Sequence, residues 1–325
     1  MCSSAEGVRM SGGFLKVLQF ATGSSLRRVG ILCKDESSII DLTKLMKFNS
    51  VYDLMKGTDS QSKEIEKILH EYRENSKSIP QDCVSPLSEA RIFAPIIPQR
   101  NVICVGKNYR DHVIEVKKAA DEKAGISTQS VEMPKHAVFF TKAPQTIIGH
   151  NENIESHLGI TKWLDYEAEL GIIIKKEGRD IKKKDALNYV FGYTVANDVT
   201  ARDLQKNHMQ FFKGKTLDSS CPLGPCITMN SHISSLGDGS NLKIKLWLND
   251  NIMQDSSTNE MIYDVKEIIA QLSAGFTLLP GDVILTGTPA GVGFARKPPV
   301  ALKAGDRIKI EIDNIGILNN SVINI

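Results

Sequence analysis

The chain is poor in the features that announce the commoner alternatives. No stretch of its 325 residues approaches the roughly twenty consecutive apolar side chains that span a bilayer, so a membrane-spanning helix is not expected. Forty basic residues against thirty-eight acidic ones leave a net charge of +2, which gives no general reason to bind nucleic acid or a membrane surface. Six cysteines (2, 33, 83, 104, 221 and 226) form no Cys-x-x-Cys pair and no zinc spacing, so free thiols in a reducing compartment are expected. The residues before the first strand, Met1 to Gly13, lack the apolar core of a signal peptide and read as a flexible tail. There is no internal repeat, no low-complexity tract and no alternation of strands with crossover helices. Gly287-Thr-Pro-Ala-Gly-Val-Gly293 is glycine-rich but lacks Gly-Lys-Ser/Thr and precedes no helical pattern, so it is not a phosphate loop. With 41% hydrophobic residues the chain can still bury a full core.

Short strand-like runs dominate. Phe14 to Phe20 and Arg28 to Lys34, separated by Thr22-Gly-Ser-Ser, read as a hairpin. A helix is expected from Ser62, with Ile65, Ile68, Leu69 and Tyr72 on one stripe. A second helix is expected after Asp264, which has Glu267 three residues on and Gly275 at the far end. Prolines in Ile92 to Pro98 mark a boundary between a small N-terminal α+β domain, residues 14–95, and a larger domain, residues 98–325. The fold class is α+β and β-rich.

Leu164-Asp-Tyr-Glu-Ala-Glu-Leu-Gly-Ile-Ile-Ile174 carries the chemistry. Strand alternation points Glu167 and Glu169 to one face, and Tyr166, Ala168 and Leu170 to the other. Two anions beside an isoleucine run are costly to bury without compensation. Asp198, ending the apolar run Tyr193 to Val199, is placed to complete an all-carboxylate metal site. Oxygen-only ligands favour Mg²⁺, Mn²⁺ or Ca²⁺ over zinc. Lys142 and Lys215, in apolar or glycine-rich surroundings, and Arg202, four residues after Asp198, either balance these charges or hold a substrate carboxylate. Cys104 reads as core, and nothing near Cys221 marks an activated thiol.

These residues lie in motifs that resemble the fumarylacetoacetate hydrolase family. The motifs are Val105-Gly-Lys-Asn-Tyr-Arg-Asp-His112 with Glu115, Phe139-Phe-Thr-Lys142, Leu164 to Leu170, Gly192-Tyr-Thr-Val-Ala-Asn-Asp-Val-Thr-Ala-Arg-Asp203, Lys213-Gly-Lys-Thr-Leu-Asp-Ser-Ser-Cys-Pro-Leu-Gly-Pro225 and Leu285 to Gly293, in family order from about residue 100 onward. The resemblance implies the family's mixed β-sandwich roll, a homodimer, and a divalent metal, Mg²⁺ first and Mn²⁺ second, held by Glu167, Glu169 and Asp198. It implies His112, Glu115 and Lys215 as catalytic residues, and Lys142, Arg202, Gln205 and Thr288 as substrate-binding ones. His112 and Glu115 share a helical face at this spacing, in a segment that the resemblance makes a lid. Asp165 is a supporting group rather than a ligand.

The implied substrate is a small anionic 2-oxo or β-dicarbonyl acid, handled through a metal-bound enolate. Oxaloacetate keto–enol tautomerisation is the first expectation, and C–C hydrolysis of an acylpyruvate or fumarylacetoacetate type, or oxaloacetate decarboxylation, the alternative. A catalytically faded metal-binding scaffold is the alternative of another class. The cytoplasm is the first expected location and the mitochondrion the second. The chain departs from the family in Val116 to Glu132, several residues longer than expected, which leaves open how the lid closes. It also carries Phe211-Phe212 where relatives often have tryptophan.

Overall fold

A computed structural model describes residues 14–325 except 25, 34–35, 58, 76–77, 129 and 231–235. The tail expected over residues 1–13 lies outside the described residues. The hairpin forms where the turn residues place it: Lys16–Thr22 runs antiparallel to Arg28–Leu32, with Val17 opposite Ile31. From it grows a large mixed sheet in the order Val84–Pro86, Ser38–Asp41, Arg28–Leu32, Lys16–Thr22, Cys221–Met229, Val190–Asn197, Ala168–Ile174, Val283–Leu285, Val102–Gly106, Val138–Lys142. Residues 16–93 thus share one hydrogen-bonded sheet with the later strands, joined where Lys16 faces Thr228. A second sheet of five strands runs Asn251–Ser257, Lys243–Leu248, Arg307–Ile312, Gly316–Ile323, Asn153–Glu155. The result is the α+β, strand-rich architecture read from the sequence.

Burial explains the sequence patterns. Lys243–Leu248, Arg307–Ile312 and Gly316–Ile323 alternate buried and partly exposed positions, as strands with one covered face do. Ala168–Ile174 and Val190–Asn197 are buried at every residue, because the sheet is covered on both sides. Leu170, Ile172 and Ile174 pack in one core with Ile244, Leu246, Ile308 and Ile310 of the second sheet. Ile173, pointing the other way, joins the core of Val17, Ile31, Ile65 and Leu223.

The helix expected from Ser62 starts three residues earlier, spanning Asp59–Glu74, with Ile65 and Leu69 buried. Helix Val265–Ser273 follows its cap signal, the Asp264 carboxylate accepting the Glu267 N–H at 2.7 Å. The stretch after Glu115 begins as helix: Arg110–Lys123 is one continuous helix, so Val116 to Lys123 continue the turn that carries His112 and Glu115.

Candidate active site

Sheet register assembles the three acids. Ala168 pairs with Asn197, and Glu169 with Ala196. One step beyond that ladder the Asp198 N–H donates to the Glu167 carbonyl at 2.9 Å, and the Glu167 N–H donates to Asn197 Oδ1 at 3.0 Å. Parity does the rest: Tyr166, Ala168 and Leu170 enter the core shared with the second sheet, leaving Glu167 and Glu169 on the opposite side. One oxygen each from Glu167, Glu169 and Asp198 lies within 4.8 Å of the others, and all three residues are buried.

Such a cluster needs positive charge, and the chain supplies part of it. Lys215 Nζ donates to Glu167 Oε2 and to Asp198 Oδ2, both at 2.6 Å. It reaches them because Gly214 lets helix Phe212–Lys215 lie against helix Arg202–Asn207; a Cβ there would stand 2.5 Å from the Gln205 nitrogen. Arg202 pairs with Glu167 Oε1 at 2.6 Å and with Asp165 Oδ2 at 2.9 Å. Burial alone would raise the Glu167 carboxyl, but Lys215 and Arg202 outweigh it and hold that group at about 2. Burial likewise works against the Lys215 ammonium, and the Asp198 and Glu167 carboxylates more than restore it, so its pKa is raised.

Glu169 is left over. The Gly287 N–H donates to it at 2.7 Å, and no ion pair reaches it among the described residues. Burial first, then the Asp198 and Glu167 charges, push its carboxyl well above the usual range. Asp198 Oδ1 is similarly underserved: Lys142 Nζ is 2.9 Å away as an ion pair, yet off the direction of a hydrogen bond, so this buried oxygen has no hydrogen-bond donor. Oxygen donors only, buried, with charge still uncompensated, fit a hard divalent cation.

Lys142 occupies a different place from the one expected. It is fully buried behind Asp198, its ammonium held by that carboxylate and by the Val199 carbonyl at 3.1 Å, and it does not line the cavity. There its charge faces Asp198. Asp165 is a bracing group, accepting the Gly293 N–H at 2.7 Å and the Phe294 N–H at 3.1 Å besides holding Arg202.

Above the acids opens a cavity of about 720 Å³, lined among others by His112, Glu167, Glu169, Arg202, Gln205, Lys215 and Thr288. Arg202 Nη1 donates to Gln205 Oε1 at 3.3 Å. The lid helix brings His112 to the cavity, with Nδ1 3.0 Å from Glu115 Oε1. Glu115 in turn accepts the Gly291 N–H on both oxygens, at 2.9 and 3.0 Å. In the glycine-rich loop the Gly287 and Gly291 amides orient the Glu169 and Glu115 carboxylates, and Gly287 (φ +97°) could not carry a Cβ, which would fall 2.9 Å from the Val105 carbonyl.

Two contributors escape a reading of the sequence. Gln254 donates to Thr288 Oγ1 and to the Pro289 carbonyl, both at 2.8 Å, and accepts the Ala168 N–H at 2.9 Å, tying the second sheet to the acid strand. The mouth of the cavity carries the exposed lysines 107, 123, 162 and 206. Parity along Asn251–Ser257 marks Gln254 as inward-facing, but its partners are distant in sequence.

Residues 101–323 match the family described as fumarylacetoacetate (FAA) hydrolase C-terminal. The chain is 42% identical over 315 residues to oxaloacetate tautomerase YisK of Bacillus subtilis, covering 94% of this chain and 100% of that protein. It is 38% identical over 314 residues to oxaloacetate tautomerase fahd2, mitochondrial, of Xenopus laevis, covering 95% and 90%. The solved structure of fumarylacetoacetate hydrolase EaFAH of Exiguobacterium antarcticum superposes with a TM-score of 0.75 at 38% identity, over 96% of this chain and 100% of that one.

Proposed function

The chain is an enzyme of the metal-dependent fumarylacetoacetate hydrolase family, and from that premise we propose that it is an oxaloacetate keto–enol tautomerase using Mg²⁺ or, second, Mn²⁺. The observation that carries the reading is the buried triad Glu167, Glu169 and Asp198 with two cationic side chains at the base of one cavity. A divalent ion bound there supplies Lewis-acid charge for the 2-oxo oxygen and neighbouring carboxylate of the substrate. Glu167, Glu169 and Asp198 are its proposed ligands.

The chain's own groups divide the remaining work. Lys215, kept an ammonium by its carboxylate neighbours, places fixed positive charge where an enolate oxygen develops, and Arg202 adds a second cation beside it. Thr288 Oγ1 accepts from Gln254, so its own proton is available to a substrate oxygen. Gln205, held by Arg202, is a further polar contact. Glu115 accepting from Nδ1 of His112 leaves Nε2 as the atom that takes or returns a proton. No oxidation change is involved: a proton leaves one atom of the substrate and another is bonded at C-3 or at the enol oxygen.

The intact His112–Glu115 pair, anchored at Gly291, favours a second reading, C–C hydrolysis of an acylpyruvate, because hydrolysis alone among these reactions needs an activated water. We place the chemistry in residues 98–325, with residues 14–95 as a small domain that extends the sheet. A homodimer is proposed from the family resemblance. Cytoplasmic location is proposed first and mitochondrial second, the latter because the Xenopus relative is so named; no helix among the described residues is long and apolar enough to cross a membrane.

The test follows the ultraviolet absorbance of the enol. Enol-oxaloacetate is expected to decay faster with enzyme and Mg²⁺, and the acceleration to vanish with a chelator. Acceleration confined to acylpyruvate cleavage would replace the first reading by the second.

A further inference from the structure

The cavity has two unlike halves. Its base is the charged cluster, while much of the remaining wall is carbon. From the lid helix, Val116, Ala119 and Ala120 line it on the same helical stripe as His112. From other elements come Phe140, Phe211 and Phe294. These rings adjoin the base: the Arg202 guanidinium carbon lies 4.6 Å from the Phe294 ring centre, and Lys215 Nζ lies 5.0 Å from that of Phe140. Phe140 packs edge to face on Phe211 at 5.5 Å, which fixes both.

A four-carbon diacid is polar at both ends and gains little from such a wall. The volume of about 720 Å³ also belongs to the range of roughly 300–1,000 Å³ that encloses drug-sized ligands. The four lysines at the mouth are solvent-exposed; they attract anions in general and do not select among them.

We infer that the same site tautomerises 2-oxo acids that carry an aromatic ring on C-3, the arylpyruvates, with the ring seated among Phe140, Phe211, Phe294 and the alanine stripe of the lid helix. The inference rests on the enol chemistry proposed above. With the 2-oxo acid group at the charged base, a C-3 ring stands one bond from the reacting carbon, at the height of the phenylalanines. The reaction balances without a second reactant. The enol O–H bond breaks, its electron pair forms the C=O bond, and the C=C pair takes a proton to form the new C-3–H bond.

The experiment uses full-length protein with Mg²⁺, and enol-phenylpyruvate beside enol-oxaloacetate. Wild type is expected to accelerate both. Ala119→Phe, which fills the chamber, is expected to lower the ratio of kcat/KM for phenylpyruvate over oxaloacetate at least tenfold. Ala120→Leu, at an exposed helix position that leucine tolerates, should lower it in the same direction. Binding is read separately through Trp163, which lines the cavity: phenylpyruvate should quench its fluorescence saturably, and more weakly in both variants, with Trp163→Phe as the blank. Oxaloacetate turnover with neither phenylpyruvate turnover nor saturable quenching overturns the inference and leaves the tautomerase reading standing. Phenylpyruvate turnover and quenching without oxaloacetate turnover support the chamber and overturn oxaloacetate as substrate. A ratio unchanged in both variants overturns the assignment of the wall.

Discussion

The floor and the lid of this cavity are built in opposite ways. The floor acids lie in, or one residue beyond, strands buried on both sides, and their mutual positions are set by the pairing of Ala168 with Asn197. Four cationic or amide groups, from Lys142, Lys215, Arg202 and Gly287, hold them. The lid is one helix, fastened near its start by Glu115 on the Gly291 amide and near its end by the exposed pair Lys297–Glu122. Interactions within a dry floor are strong and costly to break, whereas an exposed ion pair contributes little. Damage to the floor is therefore expected to abolish activity, and damage to the helix to change its rate or selectivity.

Substitutions can break that contrast, and the largest effect is expected at Glu169. Glu169→Gln removes a charge and a ligand from an oxygen-only site, so titration calorimetry should find Mg²⁺ binding weakened by at least about 10–100-fold, with metal-dependent turnover lost. Undiminished affinity, or full wild-type activity without metal, would remove these carboxylates from the metal site.

His112→Ala tests the proton-transfer group carried by the helix. Loss of a positioned general base costs on the order of 10²–10⁴ in rate, so acylpyruvate cleavage should collapse by that factor while Mg²⁺ affinity holds and oxaloacetate tautomerisation survives in part. Equal collapse of both reactions would mean that His112 serves a step they share.

Lys215→Met separates catalytic from structural charge. In metal-free buffer it strips a buried cation from Glu167 and Asp198, and breaking such a pair costs about 3–5 kcal/mol. Chemical denaturation should show that loss, and Mg²⁺ should recover part of it by neutralising the same oxygens. A variant as stable as wild type without metal contradicts the electrostatic account of the floor. The smallest effect is expected for Lys297→Met at the far end of the lid: stability within about 0.5 kcal/mol of wild type, since both partners are exposed. A larger loss would show that this exposed pair holds the helix more firmly than its exposure allows.

Local rules made much of this legible. Alternation along Leu164 to Ile174 put Glu167 and Glu169 together, and the end of the next apolar run supplied Asp198, because strand parity and length are properties of the chain itself. The cap at Asp264 was legible for the same reason. Lys142 was not: an apolar setting shows that a lysine is buried but not which carboxylate it faces. Nor was Gln254, whose role arises only when two sheets meet. That Val116, Ala119 and Ala120 line the cavity was not legible either, because it depends on where the helix lies against distant elements.

Glu115 deserves to be seen as an interlock. One carboxylate is shared between the Gly291 amide and the imidazole of His112, so the contact that seats the helix is also the contact that aligns the base. A helix swung away would lose both at once, leaving His112 without its orienting partner. Seating the helix and orienting the base are thus one and the same contact.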